Sequence, residues 1–423
     1  MKLINNAVVN GEPGSWVLYD ESSVLATGVG NPGYFDVDET IYANGATLIP
    51  GLTDTHVHFR EPGLTHKATI ASESRAALAG GITTVCDMPN TVPATTTAEA
   101  LRNKLALGRS TSAVHYNAFY GAVPGCMAQV VKFKPGEIPG VKVFLGASTG
   151  SMACPAEDEL LELMRWCADN GLPMMVHAED NDIIARNAAE AIARYGSPDK
   201  VPVSMHHRIR SAEACISATE KAIDKALRTG CRLHVAHVST AEEVRRFFKP
   251  GPTASKQITA ETTPMYLDPY LADEARRTSL HKINPAIKTP EDAEALCHAV
   301  VSGAIDTIGT DHAPHLLSEK QGGALTAASG APSIQFALQM MLEYLPLTKI
   351  VERMTAGPRA IFGIGSNGRI EVGSPADLVL VHNAQPFVID NDMVLSPCGW
   401  TPFEGRIVSH TIEPLSVASK WQA

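Results

Sequence analysis

The sequence predicts an α/β protein built on a (β/α)₈ barrel with a small composite β-domain. From about residue 51, eight apolar strand-like segments alternate with amphipathic helical segments, the pattern of a parallel sheet. Before residue 51 and after about residue 365, short β-type runs separated by Gly, Pro and Asn replace this alternation. We therefore expect a barrel over residues 51–364 and one β-domain formed jointly by residues 1–50 and 365–423.

The barrel strands are predicted from apolar runs that end in polar residues. They cover residues 52–59, 83–88, 113–120, 140–144, 173–177, 232–237, 257–261 and 304–310. Helices are predicted at 67–79, 157–170 and 211–229, each followed closely by a glycine that can end it. In the terminal segments, strands are predicted at 16–19, 23–27, 47–49, 369–371, 378–381 and 406–410. A barrel of this kind carries its functional site at the carboxyl ends of its strands.

Composition narrows the class of protein. The chain has 423 residues and a formal net charge of −10, which argues against binding to a nucleic-acid backbone. No segment approaches the roughly 18 consecutive apolar residues of a membrane span, and the N-terminus has no signal-peptide core. The eight cysteines form no CxxC pair, so we expect reduced thiols. These features indicate a cytoplasmic enzyme that acts on a small molecule.

The first strand candidate contains an HxH motif. Alternation along a strand places His56 and His58 on the same side, about 6.5–7 Å apart along the chain. At the end of an inward-facing strand, two such imidazoles can bind one divalent ion. An isolated HxH on a surface strand is an equally common origin of this pattern, so the motif needs support from other residues.

Other potential ligands end other strand candidates. His177, His237 and Asp311 each follow an apolar run and precede polar loop residues. Together with the HxH pair they exceed the ligand number of one tetrahedral zinc, which implies two metals. Lys142 lies in the fourth strand candidate, where a carboxylated amine could bridge two cations. A lysine whose amine extends to the protein surface is the alternative, and the residues alone leave both open.

Longer motifs resemble the amidohydrolase superfamily and, within it, the dihydroorotases, over nearly the whole chain. These motifs are DTHVHFREPG at 54–63, GITTVCDMPN at 81–90, VKVFLGASTG at 141–150, NPAIK at 284–288, DHAPH at 311–315 and CGWTPFEG at 398–405. The resemblance implies a metal-bearing (β/α)₈ barrel with a composite β-domain, in agreement with the pattern of elements. Two positions depart from the usual pattern, Met265 where many relatives have His and Ala68 where Glu is common.

The resemblance also implies the site and the reaction. The implied metal ligands are His56, His58, carboxylated Lys142, His177, His237 and Asp311. They would hold two Zn²⁺ bridged by the carboxylated lysine and a hydroxide. Asp311 would be the catalytic acid and base, and Arg60, Asn90, Asn284 and His315 would bind substrate. The implied reaction is the reversible hydrolysis of (S)-dihydroorotate to N-carbamoyl-L-aspartate in pyrimidine biosynthesis. We also expect the protein to be a homo-oligomer, with a dimer favoured.

Several alternatives stay open. Allantoinases and hydantoinases open cyclic amides with the same machinery, although Arg60 favours a substrate with a free carboxylate. Arg60 could instead form a salt bridge with Glu61 or another acid, and Asn90 could be a turn residue after Pro89. An inactive scaffold homologue would usually have lost ligands, and this chain keeps all six. In the glycine-containing loop 146–150, Thr149 is either a substrate contact or part of a plain turn.

Overall fold

The computed structural model describes residues 1–134, 136–146 and 152–419. Most of the loop 146–150, including Ser148 and Thr149, lies outside these residues. The β-strands are β1 (Lys2–Val9), β2 (Glu12–Tyr19), β3 (Val24–Val29), β4 (Glu39–Tyr42), β5 (Thr47–Pro50), β6 (Leu52–Val57), β7 (Ile82–Asp87), β8 (His115–Ala118), β9 (Tyr120–Gly121), β10 (Val141–Phe144), β11 (Met174–His177), β12 (Leu233–Val235), β13 (Ile258–Thr262), β14 (Thr307–Ile308), β15 (Leu378–Val388) and β16 (Ile407–Ser416).

The helices follow the predicted alternation with the barrel strands. They are α1 (Ile70–Ala79), α2 (Ala98–Thr111), α3 (Met127–Val130), α4 (Glu157–Asp169), α5 (Asn181–Tyr195), α6 (His206–Ile209), α7 (Ala212–Thr229), α8 (Ala241–Phe247), α9 (Pro264–Leu267), α10 (Pro269–Ala272), α11 (Pro290–Ser302), α12 (Ala337–Leu342), α13 (Leu347–Arg353) and α14 (Ala356–Phe362). The predicted helix at 211–229 is confirmed as α7. Ser211 caps its first turn through the Ala214 N–H, and Gly230 ends it at φ 75°.

The strands β6 to β14 form the predicted α/β barrel. Strands β6, β7 and β8 make one parallel sheet, and β9 to β14 make a second. Only Phe119 separates β8 from β9, and its N–H donates to the Asp87 carbonyl at 3.0 Å. On the other side, the His58 N–H donates to the His312 carbonyl at 2.8 Å, which links β6 to the segment after β14. These contacts join the two sheets around one core.

The two ends of the chain share a separate sheet. Its strand order is β16-β15-β5-β1-β2-β3, and β4 pairs with β1. Strands β1 and β4 were not predicted, and the prediction of a strand at 369–371 is wrong. There the Asn10 side chain accepts from the Ile370 N–H and donates to the Ile370 carbonyl, so side-chain bonds replace a strand partner. The exact domain boundaries at 50 and 365 stay a prediction.

Two apolar clusters support these parts. The larger one surrounds the barrel and includes Leu52, Val85 and Val143, whereas a smaller one under the terminal sheet includes Ile4 and Leu378. Burying each such aliphatic side chain contributes about 1.5–3 kcal/mol. Within the described part of the chain, none of the helices combines the length and apolar character needed to cross a bilayer. In such a barrel the carboxyl ends of the strands lie at one end, where a functional site is expected.

Candidate metal centre and substrate pocket

His56, His58 and Asp311 form the first half of a candidate metal centre. His58 Nε2 lies 3.1 Å and His56 Nε2 lies 3.5 Å from Asp311 Oδ1. The end of β6 supplies both histidines, and Asp311 follows β14 in the left-handed region, at φ 49°. The three ligand atoms lie within 4.8 Å of one another, which suits a single divalent cation.

His177 and His237 form the second half. His177 ends β11, His237 follows β12, and His177 Nδ1 lies 2.9 Å from His237 Nε2. The ring centroids of His56 and His237 are 5.2 Å apart, so the two halves adjoin. The structure thus brings the predicted histidines together at one end of the barrel.

Lys142 is buried between these groups. Lys142 is 0% exposed, and among the described residues its Nζ has no hydrogen-bond partner. The alternative of a surface lysine is therefore wrong. Burial lowers the pKa of Lys142 to about 8, although Glu261 and Asp311 oppose this shift. An unpartnered buried amine is costly, and a lowered pKa favours the neutral form that reacts with carbon dioxide. This position fits carboxylation.

Two buried carboxylates orient histidines of the centre. Glu261 Oε1 lies 2.6 Å from His56 Nδ1, and Glu179 Oε2 lies 3.0 Å from His177 Nε2. A carboxylate accepts the N–H of one ring nitrogen and leaves the other free for a metal. His56 is thus left with Nε2 and His177 with Nδ1, the atoms that face the other candidate ligands. Neither glutamate was predicted as part of the site, although Glu261 lies near the carboxyl end of β13, as the histidines lie near the ends of their strands.

The electrostatics of the centre favour the neutral forms of His58, His177 and His237 and the ionised form of Asp311. Burial lowers the pKa of His58 to about 4 and lowers those of His177 and His237 as well. Burial alone would raise the pKa of Asp311, but His56 and His58 more than reverse this and lower it. Neutral imidazoles and a carboxylate are the forms that bind metals.

The centre opens into a narrow pocket of about 20 Å³. The pocket is lined by His56, His58, Arg60, Asn90, Phe144, His177, His237, Asn284, Asp311, Ala313, Ser329 and Gly330. It contains three of the four predicted substrate-binding residues. Ser329 and Gly330 were not predicted as pocket residues, because small residues in a loop follow no periodic or motif pattern in the sequence. Ser329 and Gly330 form one wall of the pocket. At Gly330 a Cβ would lie 2.8 Å from the Ala313 carbonyl and 2.9 Å from the His315 ring, so only glycine lets the backbone of this wall approach them so closely.

Arg60 is the cation of this pocket. It is 3% exposed, its Nε donates to the Pro314 carbonyl at 2.9 Å, and among the described residues its NH2 nitrogen has no hydrogen-bond partner. The alternative of a salt bridge to Glu61 or another acid is wrong: the Glu61 carboxylate accepts from the Ile70 N–H, and within the described residues no carboxylate lies at ion-pair distance from Arg60. A buried guanidinium with spare donors is suited to an anion.

The other predicted substrate-binding residues differ in their surroundings. Asn90 Oδ1 lies 2.7 Å from His58 Nδ1, so Asn90 orients a candidate ligand as well as lining the pocket. Asn284 Oδ1 is buried and lacks a hydrogen-bond partner within the described ranges. His315 lies behind the wall, where its Nε2 is 3.1 Å from the Ser329 carbonyl and its Nδ1 is 3.2 Å from Lys67 Nζ. Both ring nitrogens of His315 are thus engaged by protein groups.

The sequence is similar to those of known proteins over most of its length. The chain matches the Amidohydrolase family over residues 47–408. It is 34% identical over 418 residues to a dihydroorotase from Halobacterium salinarum, with 96% of this chain and 93% of that protein covered. A dihydroorotase from Lactiplantibacillus plantarum is 33% identical over 380 residues, covering 87% of this chain and 85% of the relative.

Two further proteins extend the comparison to other cyclic amidases. An allantoinase from Rubrobacter xylanophilus is 32% identical over 388 residues, covering 88% of this chain and 84% of the relative. The solved structure of an L-hydantoinase (dihydropyrimidinase) from Arthrobacter aurescens superposes with a TM-score of 0.86 at 25% identity, covering 100% of this chain and 97% of that one. The barrel, the histidines gathered at its strand ends and these matches agree: the chain belongs to the amidohydrolase family, and within it to the dihydroorotases.

Proposed function

We propose that the protein catalyses the reversible hydrolysis of (S)-dihydroorotate to N-carbamoyl-L-aspartate, a ring-opening step of pyrimidine biosynthesis. The observation that carries this proposal is Arg60, a buried cation with unused donors in the same pocket as the candidate metal centre. A cyclic amide that also bears a carboxylate satisfies both halves of such a pocket. The dihydroorotase relatives support the same substrate.

We further propose that the centre holds two zinc ions. The ligands would be His56, His58 and Asp311 for one ion, His177 and His237 for the other, and carboxylated Lys142 for both. Four imidazoles and a carboxylate form a donor set typical of zinc, and the unpartnered Lys142 amine fits conversion to a shared anionic ligand. When bound, zinc would supply an activated water and polarise the amide carbonyl.

The side chains of the pocket account for orientation of the substrate. Arg60 would bind the ring carboxylate through its NH2 nitrogen, which has no hydrogen-bond partner among the described residues, while its Nε is held by the Pro314 carbonyl. Asn90 and Asn284 line the same pocket and offer amide groups to the carboxylate or ring. His315, which both Lys67 and the Ser329 carbonyl engage, would act through the pocket wall rather than by direct contact.

Asp311 would carry the proton. In ring opening its ionised carboxylate accepts a proton from the attacking water and delivers it to the ring nitrogen as the C–N bond breaks. In ring closure the protonated carboxyl and the attacking ureido N–H each supply one proton to the departing oxygen, which leaves as water, and Asp311 is left ionised. The lowered pKa of Asp311 keeps the carboxylate ionised at neutral pH, as opening requires.

Allantoin or a hydantoin is the second candidate substrate, because an allantoinase is 32% identical to this chain. These rings lack the carboxylate that Arg60 would bind. An inactive scaffold is the third possibility, and retention of all six candidate ligands in one centre argues against it.

A turnover panel tests the proposal. Zinc-loaded protein is supplied separately with dihydroorotate, allantoin and hydantoin, and zinc is counted on the same preparation. We expect rapid turnover of dihydroorotate, little turnover of the two others, and about two zinc per chain. Preferred hydrolysis of allantoin or hydantoin would contradict the substrate, and zinc-loaded protein inactive on all three rings would favour the scaffold.

A further inference from the structure

A buried lysine lies directly behind the substrate wall. Lys320 is 1% exposed, and its Nζ donates to the carbonyls of Lys282, Ala328 and Gly330 at 2.9, 2.8 and 2.8 Å. Gly330 lines the pocket, so a single hydrogen bond separates this ammonium from the wall. The Trp400 ring covers it from the other side, with its centroid 5.7 Å from Nζ.

A second lysine extends this positive layer. Lys282 is 6% exposed and its Nζ donates to the Ala327 carbonyl, in the loop that leads to Ser329 and Gly330. Asn284, two residues after Lys282, lines the pocket from the opposite segment. Lys282 and Lys320 thus hold together the two chain segments that form the wall.

These cations have no acidic partner to neutralise them. In the described parts of the chain, no carboxylate lies within ion-pair distance of Lys282, Lys320 or Arg60. The nearby Glu319 pairs instead with Lys67 at 2.6 Å, and Glu179 pairs with Arg210. Burial, followed by the charges of Lys282 and Arg60, lowers the pKa of Lys320 to about 7, although Glu319 opposes the shift. Around Lys282, Lys320 and Arg60, buried cations therefore outnumber the carboxylates in contact with them, while the ionised Asp311 lies in the same pocket as Arg60.

Such an excess costs free energy unless an anion binds nearby. Three carbonyl dipoles solvate Lys320 but cannot cancel its charge. A carboxylate at Arg60 would interact favourably with Lys320 and Lys282 as well, through a wall that excludes water and weakens screening. A neutral ring would receive no such benefit.

We infer that Lys320, supported by Lys282, is a specificity-determining residue that favours anionic over neutral cyclic amides through its charge, without touching the substrate. This inference rests on the proposed function. It differs from a purely structural role, in which Lys320 would only tie the wall together. Hydrogen bonding and charge are separable, because glutamine retains N–H donors without the charge and methionine retains neither.

The test compares Lys320→Gln, Lys320→Met and Lys282→Gln with the parent. Lys349→Gln is the matched control, since it removes one positive charge from a lysine that pairs with Glu352 in α13, away from the pocket. For each protein KM and kcat are measured with dihydroorotate, inhibition is measured with dihydrouracil, the neutral ring without the carboxylate, and zinc is counted.

We expect Lys320→Gln and Lys320→Met to raise KM for dihydroorotate by a similar factor, about tenfold for charges about 10 Å apart at an effective dielectric constant near 20. Lys282→Gln should shift KM in the same direction. The kcat, the zinc content and inhibition by dihydrouracil should stay near parental values, and Lys349→Gln should resemble the parent throughout.

Three outcomes would overturn the inference. Parental KM in Lys320→Gln would remove the charge from substrate recognition. A large loss in Lys320→Met with a small one in Lys320→Gln, or an equal loss for both rings, would assign Lys320 to wall support. If Lys320→Met fails to fold, the two glutamine variants decide between these outcomes. A parent that does not turn over dihydroorotate would contradict the proposed function itself, which is a separate result.

Discussion

Replacing Arg60 tests the carboxylate site. The guanidinium is buried, its Nε donates to the Pro314 carbonyl, and its NH2 nitrogen, which has no partner among the described residues, remains for substrate. Lysine offers one compact cation that cannot serve both the carbonyl and a carboxylate in this geometry. Arg60→Lys therefore loses at least one charge-assisted hydrogen bond, worth about 1.5–3 kcal/mol. Because 1.36 kcal/mol corresponds to tenfold, kcat/KM should fall about tenfold to a hundredfold.

The assay follows initial rates with dihydroorotate and, in reverse, with N-carbamoyl-L-aspartate. Arg60→Met extends the series by removing the charge, and Arg75→Lys, at an exposed position of α1, is the matched control. Zinc is measured on every preparation, so that loss of metal is not mistaken for loss of substrate binding. Parental kcat/KM in both Arg60→Lys and Arg60→Met would refute the assignment of Arg60 to the carboxylate.

Three further predictions concern the centre. Asp311→Asn should lower kcat at least ~10²-fold in both directions while zinc stays bound, and near-parental turnover in the variant would exclude Asp311 as the proton shuttle. In the parent, ring opening needs the ionised Asp311 carboxylate and ring closure needs the protonated one. Opening should therefore be favoured as pH rises and closure as pH falls. Lys142→Ala should lose zinc, with partial rescue of activity by propionate. An unmodified Lys142 in active zinc-loaded protein, shown by the electron density at the lysine tip, would contradict carboxylation. Glu261→Gln should weaken zinc binding roughly 10–100-fold in a chelator titration because His56 loses its carboxylate partner, whereas Glu243→Gln, at another buried carboxylate, should not; equal affinities would remove Glu261 from the centre.

The sequence predicted the barrel and the strand ends well because both depend on local patterns. Apolar runs place the barrel strands within a few residues, although the predicted strand 113–120 divides into β8 and β9 and the predicted strand 304–310 shortens to β14. A polar residue after such a run lies at the carboxyl end of the barrel. This reasoning placed His177, His237 and Asp311 correctly beside His56 and His58. The same reasoning, applied to Glu261 at the end of β13, would also have found its carboxylate.

Long-range contacts were beyond the sequence. The run at 369–371 has strand-like residues, but the Asn10 side chain, 360 positions away, binds Ile370 in place of a strand. The neighbours of His315 were equally hidden, since Lys67 and Ser329 reach it from separate segments. A lysine is usually exposed. Only the fold shows that Lys320 is buried behind the pocket, where its amine donates to three carbonyls.

An experimental structure of zinc-loaded Asp311→Asn protein with dihydroorotate is the most direct test of the central claim. We expect two metals, a carboxylated Lys142 between them, the ring amide at the centre and the ring carboxylate against Arg60 in a single crystal. A ring bound with its carboxylate away from Arg60, or a centre without metal in the soaked crystal, would contradict the account.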